Sequence, residues 1–240
     1  MRRLWRRATK APDYPAVRDD LRTFSLAGLE LPLRATTAIA VVTFAVLIDF
    51  SQVLLPPGTL ADGRTPEAMR IVAIERFVLF GVVPFAVVRF AFRDRASRYG
   101  LTLGDWRWGT ALALGGCVVM TPIVLWFAGQ PATGAYYAES AGPVADVIAT
   151  NAIDLTASEF AFRGFLMLAL VRIMGPIGVV VAALPFVLAH AGKPPLELFS
   201  TLGGGLAYGW LAWRTASVAW GSVAHVYILT LVTVAAADTI

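Results

Sequence analysis

The chain has 240 residues, 58% of them hydrophobic and 15% charged, where an ordinary soluble domain carries roughly 45–50% and about 25%; that excess of apolar side chain excludes a single water-soluble core. The net charge of +4 does not mark a nucleic-acid binder, because the basic residues flank apolar runs and lack interleaved stacking aromatics; topology and contact with anionic membrane lipid account for them. The one cysteine, Cys117, excludes an internal disulfide or a cysteine cluster and is expected to pack within its apolar run.

Taken from the start, MRRLWRRATKAPDYPAVRDDLRTFSLAGLE offers no continuous apolar stretch before a small-residue cleavage site. No signal peptide is read there, and Met1 is expected to be retained. Residues 1–33 form a basic extension carrying Arg2, Arg3, Arg6, Arg7, Lys10, Arg18 and Arg22, broken by Pro12, Pro15 and Pro32. Its segment LRTFSLAGLELPL has weak apolar periodicity and is a candidate for lying along the membrane interface.

Residues 34–240 read as a transmembrane domain. Apolar runs cover Ala35 to Leu55, Phe77 to Phe92, Trp108 to Ala128, Val144 to Val171, Ile177 to Ala189, Leu196 to Trp213 and Ala216 to Ala237. Most reach the ~20 residues an α-helix needs to cross the hydrocarbon core, and none alternates with the period of two of an outer-membrane strand. The expected fold is therefore all-α, a polytopic transmembrane helical bundle of about seven spans. Basic residues cluster before the first span and, as Arg89, Arg93, Arg95, Arg98 and Arg107, after the second, so both segments are expected in the cytoplasm. Pro56 to Arg70 and Gly129 to Gly142, with fewer or no net positive charges, belong outside, as does Ile240. The expected location is the cell membrane, multi-pass, with the N-terminus cytoplasmic. Gly203, Gly204 and Gly205 suggest close helix approach, Pro84, Pro122 and Pro185 suggest kinks, and Trp5, Trp106, Trp108, Trp126, Trp210, Trp213 and Trp220 suggest interfacial anchors.

Charges inside spans cost about 2.5–3.5 kcal/mol each on insertion scales and persist mostly where they pair or line a functional cavity. The fourth run holds Asp154, Ser158, Glu159 and Arg163. Glu159 and Arg163 are four apart with the acid first, the favourable order for a helical ion pair. Asp154 and Ser158 share that spacing on another stripe, since adjacent residues point about 100° apart. The only two histidines, His190 and His225, fall at the ends of later runs, and imidazoles there serve as packing groups, bases, donors or ligands.

Ser158-Glu159-Phe160-Ala161-Phe162-Arg163 resembles the Glu-Glu-x-x-x-Arg motif of the CPBP family of CAAX-type prenyl endopeptidases and bacteriocin-processing relatives. Phe186 to His190 resembles the family's Phe-x-x-x-His, and Gly205 to His225 its final histidine segment. The resemblance covers 144–235. It implies an intramembrane endopeptidase acting on a peptide or membrane-protein substrate, in which the first motif glutamate and first histidine activate water. The second histidine and an asparagine four residues later stabilise the oxyanion. Carried over, the catalytic positions are Ser158 at the base position, Glu159, His190 and His225, and Glu159 with Arg163 forms a structural ion pair.

Two positions depart from the pattern. Ser158 replaces the glutamate and Leu229 the asparagine, so hydrolysis is expected to be impaired. Asp154 and Glu159 are substitute bases to weigh, and Ser158 as a nucleophile activated by His190 would make a different enzyme class. His190, His225 and Glu159 equal a three-ligand zinc site in number, but Arg163 competes for the carboxylate; neither metal nor cofactor is implied. Two further readings stay open: a non-catalytic membrane binding or regulatory pseudoprotease, and a transporter, disfavoured by the lack of paired interrupted spans.

Overall fold

The computed structural model describes residues 8–237. Met1, Arg2, Arg3, Trp5, Arg6, Arg7 and Ile240 lie outside the described residues.

The interface candidate LRTFSLAGLELPL folds as a β-hairpin. Strand β1 (Thr23–Leu26) pairs antiparallel with β2 (Leu29–Pro32), Phe24 opposite Leu31 and Ser25 opposite Glu30. Ala27 at φ 50° and Gly28 at φ 82° make the two-residue left-handed turn that matches strand twist. A period of two in these residues explains why a helical period was weak there.

Each apolar run becomes a helix, with shifted ends. Helix α1 (Leu33–Ser51) stops short of Leu55 because Gln52 turns left-handed at φ 55°. Helix α2 (Pro66–Ala91) begins well before Phe77. Thr65 caps it by accepting from the Ala68 amide, and Pro66 stands where no intrahelical donor is needed. Its first turns therefore take residues assigned to the Pro56 to Arg70 loop. Wide π-type turns at Phe77–Val82 and Val87–Ala91 flank Pro84, whose ring disrupts the regular ladder.

Helix α3 (Trp106–Ala128) is capped by Asp105 and contains Pro122. A short α4 (Pro131–Ala138) lies within the segment expected to be loop. Helix α5 covers 144–174, passing through a π-type stretch at Phe160–Met167 and ending three residues beyond Val171 at Gly175, φ 67°. Helices α6 (Ile177–Leu188), α7 (Pro195–Thr215) and α8 (Ala219–Ala237) complete the chain.

The architecture is an all-α membrane fold. By length and hydropathy, α1, α2, α3 and α8 are long and apolar enough to cross a membrane, and α6 is apolar but shorter. The expected seven spans thus reduce to four on that criterion, because α5 and α7 carry polar and charged residues.

Helix α5 is the axis. Every side chain from 157 to 171 is buried, and Phe162, Phe165, Met167 and Leu168 are almost completely enclosed. A helix apolar on all sides is a core helix; α1, α2 and α6 cover it. Outward-facing residues are apolar too: Val118 is 72% and Phe199 79% exposed. Such a surface is stable against lipid and costly in water.

Of the three consecutive glycines expected to allow close helix approach, Gly205 alone does so. Gly203 and Gly204 face open space, whereas a Cβ on Gly205 would meet Phe186 at 3.2 Å and one on Gly209 would meet Val179 at 2.9 Å. The close α6–α7 contact therefore rests on a Gly-x-x-x-Gly stripe, the small-residue spacing of membrane helix pairs.

Candidate functional site

Ser158, Asp154 and Asn151 stand on one face of α5, toward a cleft walled by α2, α6 and α8 and open at the end formed by α4 and the loops after α1 and α6. The Ser158 hydroxyl donates to Asp154 Oδ1 at 3.2 Å. Asp154 Oδ2 accepts from Arg76 Nη1 at 3.0 Å, and Arg76 also grips Asp49 at 2.7 and 3.3 Å. Both oxygens of Asp154 are therefore engaged, one of them by a guanidinium that it shares with Asp49.

His190 follows the end of α6. Its Nδ1 lies 2.8 Å from the Phe186 carbonyl oxygen. A carbonyl only accepts, so Nδ1 carries the hydrogen and Nε2 keeps a lone pair. His225, on α8, places Nδ1 2.9 Å from Glu159 Oε1 and stacks on Tyr208 with centroids 4.8 Å apart. The carboxylate likewise fixes the proton on Nδ1. Both imidazoles line the cleft together with Ser158 and Leu229.

Glu159 and Arg163 sit behind this wall. Their side chains are 0% and 3% exposed, with Nη1 and Oε1 3.4 Å apart. The guanidinium lies over the Phe186 ring at 3.7 Å, a cation–π contact that partly replaces hydration. Glu159 Oε2 and both terminal Arg163 nitrogens lack hydrogen-bond partners among the described residues, so the pair is held by charge and packing. Consecutive residues thus divide the work: Ser158 looks into the cleft and Glu159 looks away, supporting His225. Arg163 is absent from the cleft lining.

Gly164 allows the adjoining π-type stretch to pack tightly, since a Cβ there would fall 2.4 Å from the Tyr99 carbonyl oxygen. Leu229, one turn beyond His225, contributes only hydrocarbon where the motif has an amide. Cys117 packs with Ala113 and Ala224.

Among the described residues no group of three His, Cys, Asp or Glu is placed to hold a metal ion. His190, His225 and Glu159 do not assemble as ligands, because Glu159 Oε1 already serves His225 and Arg163.

Residues 140–230 match the family model described as type II CAAX prenyl endopeptidase Rce1-like. This segment, rather more than a third of the chain, is thus similar to the core of CAAX-type prenyl endopeptidases. It contains Ser158, Glu159 and Arg163 on α5, His190 just after α6, and His225 and Leu229 on α8. Comparisons with curated proteins and with solved structures gave no match.

Several cleft residues escaped the sequence reading. Arg76 stands just outside the apolar run that begins at Phe77, and Asp49 lies inside the first run. Two charges at the ends of successive apolar runs were the signal for that pair. At the rim of the cleft, Lys193 Nζ donates to Glu197 at 2.7 Å, and the Tyr137 hydroxyl donates to the same carboxylate at 2.7 and 2.8 Å. Burial pushes the Tyr137 hydroxyl above its ordinary range. Burial opposes the Lys193 charge, but Glu197 outweighs it and holds the ammonium above its ordinary range. Asn151 donates to Thr230 at 3.1 Å, joining α5 to α8 below the mouth.

Proposed function

We propose that the protein is a CAAX-protease-type membrane protein whose cleft holds a peptide segment but hydrolyses it slowly. The observation that carries this reading is the hydrogen bond from Ser158 to Asp154. At the family base position stands a hydroxyl, and the neighbouring carboxylate has one oxygen on Ser158 and the other on Arg76.

The rest of the framework supports peptide handling. Two imidazoles face the cleft with their Nδ1 hydrogens fixed, and the aromatic rings of Phe80, Phe162 and Phe186 line it. His190 Nε2 is available to accept a proton from water. Among the described residues no free carboxylate lines the cleft beside it, since Asp154 is engaged by Ser158 and Arg76 and Glu159 is turned away and paired. Loss of a general base costs roughly 10²–10⁴-fold and loss of one oxyanion donor about 10²–10³-fold.

The orientation that fits the charge distribution puts the Arg93, Arg95 and Arg98 turn in the cytoplasm and opens the cleft outside. The seven helices other than α4 then cross or enter the bilayer in alternation, with α5 and α7 shielded by their neighbours. The purely non-catalytic reading draws on the same two substitutions.

The test is a comparison of peptide binding and cleavage by purified, reconstituted protein and its His190→Ala variant. Binding with slow, His190-dependent cleavage supports the proposal. Rapid cleavage indifferent to His190 overturns it.

A further inference from the structure

Four basic side chains other than histidine line the cleft: Arg64, Arg70, Arg76 and Lys193. Three are neutralised within the protein. Arg70 pairs with Asp146 at 2.9 Å, Arg76 with Asp49 and Asp154, and Lys193 with Glu197. Arg64 is different. Among the described residues no carboxylate comes within 4 Å of its guanidinium, and its buried Nε has no hydrogen-bond partner. Glu139 reaches this residue but accepts from the backbone amide, at 3.0 Å. The guanidinium is instead held over the Tyr136 ring, 4.2 Å from the centroid. Stacking on an aromatic face fixes the plane of the fork and leaves its edge to bind another group, and a planar fork matches a carboxylate bidentately.

We propose that Arg64 is a specificity-determining residue that anchors a carboxylate of the bound peptide at the cleft mouth. The carboxylate comes either from the peptide C-terminus or from an acidic side chain. This rests on the reading of the cleft as a peptide site, and the two stand or fall separately in the following measurement.

The probes are three fluorescein-labelled apolar hexapeptides of otherwise identical sequence: one with a free C-terminus, one amidated, and one amidated with an internal glutamate. Binding to the full-length protein in detergent is read by anisotropy. One or both carboxylate peptides are expected to bind roughly tenfold or more tightly than the neutral amide, and which of them does so identifies the source. Arg64→Gln should abolish the difference, Arg64→Lys should keep part of it, and Arg95→Gln, at the other end of the bundle, should keep all of it. Equal binding of all three peptides by the wild type overturns the Arg64 proposal and leaves the peptide site intact. No binding by any of them overturns both.

Discussion

Glu159 and Arg163 are an ion pair without a hydrogen bond between them, completely enclosed at the centre of α5. Removing one charge from such a pair leaves the other uncompensated, at a cost of about 3–5 kcal/mol. Arg163→Ala should therefore sharply reduce the fraction of folded protein recovered in detergent. Glu159→Gln with Arg163→Met keeps an acceptor for His225 and removes both charges, and should recover much of the loss. Size-exclusion yield and thermal melting check this. Equal yield for wild type and Arg163→Ala would mean that the pair contributes little. The spacing of these residues was legible, because i and i+4 positions on a helix face one another. Their division from Ser158 was legible only as an angle. Which side of α5 faced the cleft was settled by its neighbours: Phe186 covers Arg163, and Gly221 comes so close that a Cβ there would sit 3.0 Å from Glu159 Oε2.

The N-terminal extension is fastened to the end of the bundle opposite the cleft. Arg34 bonds Asp20 at 2.8 Å, Asp94 at 2.9 Å and the Phe92 carbonyl at 2.9 Å; Arg98 joins the same two aspartates. The Tyr14 hydroxyl donates to the Trp213 carbonyl at 2.6 Å. Burial opposes the charge on Asp20, but the Val17 amide and the two guanidiniums outweigh it and hold its carboxyl below the ordinary range. With the folded pKa below the unfolded value of about 3.9, the ionised form is the stabilising one. Its contribution is complete above that value and is lost as pH falls through the lower folded pKa. Docking should thus be insensitive to pH from about 5 to 8 and weaken only below about 4, whereas Asp20→Asn should weaken it at pH 7. Hydrogen exchange of the hairpin amides reads both effects. Loosening of the wild-type hairpin between pH 8 and 6 would contradict the assignment. The elements themselves were visible as apolar runs, but their boundaries were not. The start of α2 carries Glu67, Arg70, Glu75 and Arg76, so a hydropathy pattern ends where the helix continues. The hairpin was missed because its cue was the two-residue Ala27-Gly28 turn, weaker than the familiar Asn-Gly or Asp-Gly.

For the whole molecule, charge separation between the two ends predicts orientation. In a Cys117→Ser background, Asp62→Cys lies in the loop between α1 and α2, and Ser97→Cys lies in the turn after α2. A membrane-impermeant maleimide applied to intact cells should label the first and should label the second only after permeabilisation. The reverse pattern would put the cleft mouth on the cytoplasmic side. The family resemblance was legible because three motifs fall in order on three helices. The functional state was not, because it depends on the surroundings of Asp154: Arg76, whose place beside it no pattern in the chain announced, and the hydroxyl of Ser158.

The central proposal is that the cleft would match the CAAX-protease pattern it resembles but for the two side chains at 158 and 229. Its most direct test is peptide turnover by reconstituted Ser158→Glu, Leu229→Asn protein against the wild type, with His190→Ala added as a control. The new carboxylate would stand in the cleft beside His190 and the new amide one turn beyond His225. Turnover should rise by about 10² or more, the scale of a restored general base, and fall back when His190 is removed. Wild-type turnover already equal to that of the double variant, or unaffected by His190→Ala, would contradict the account.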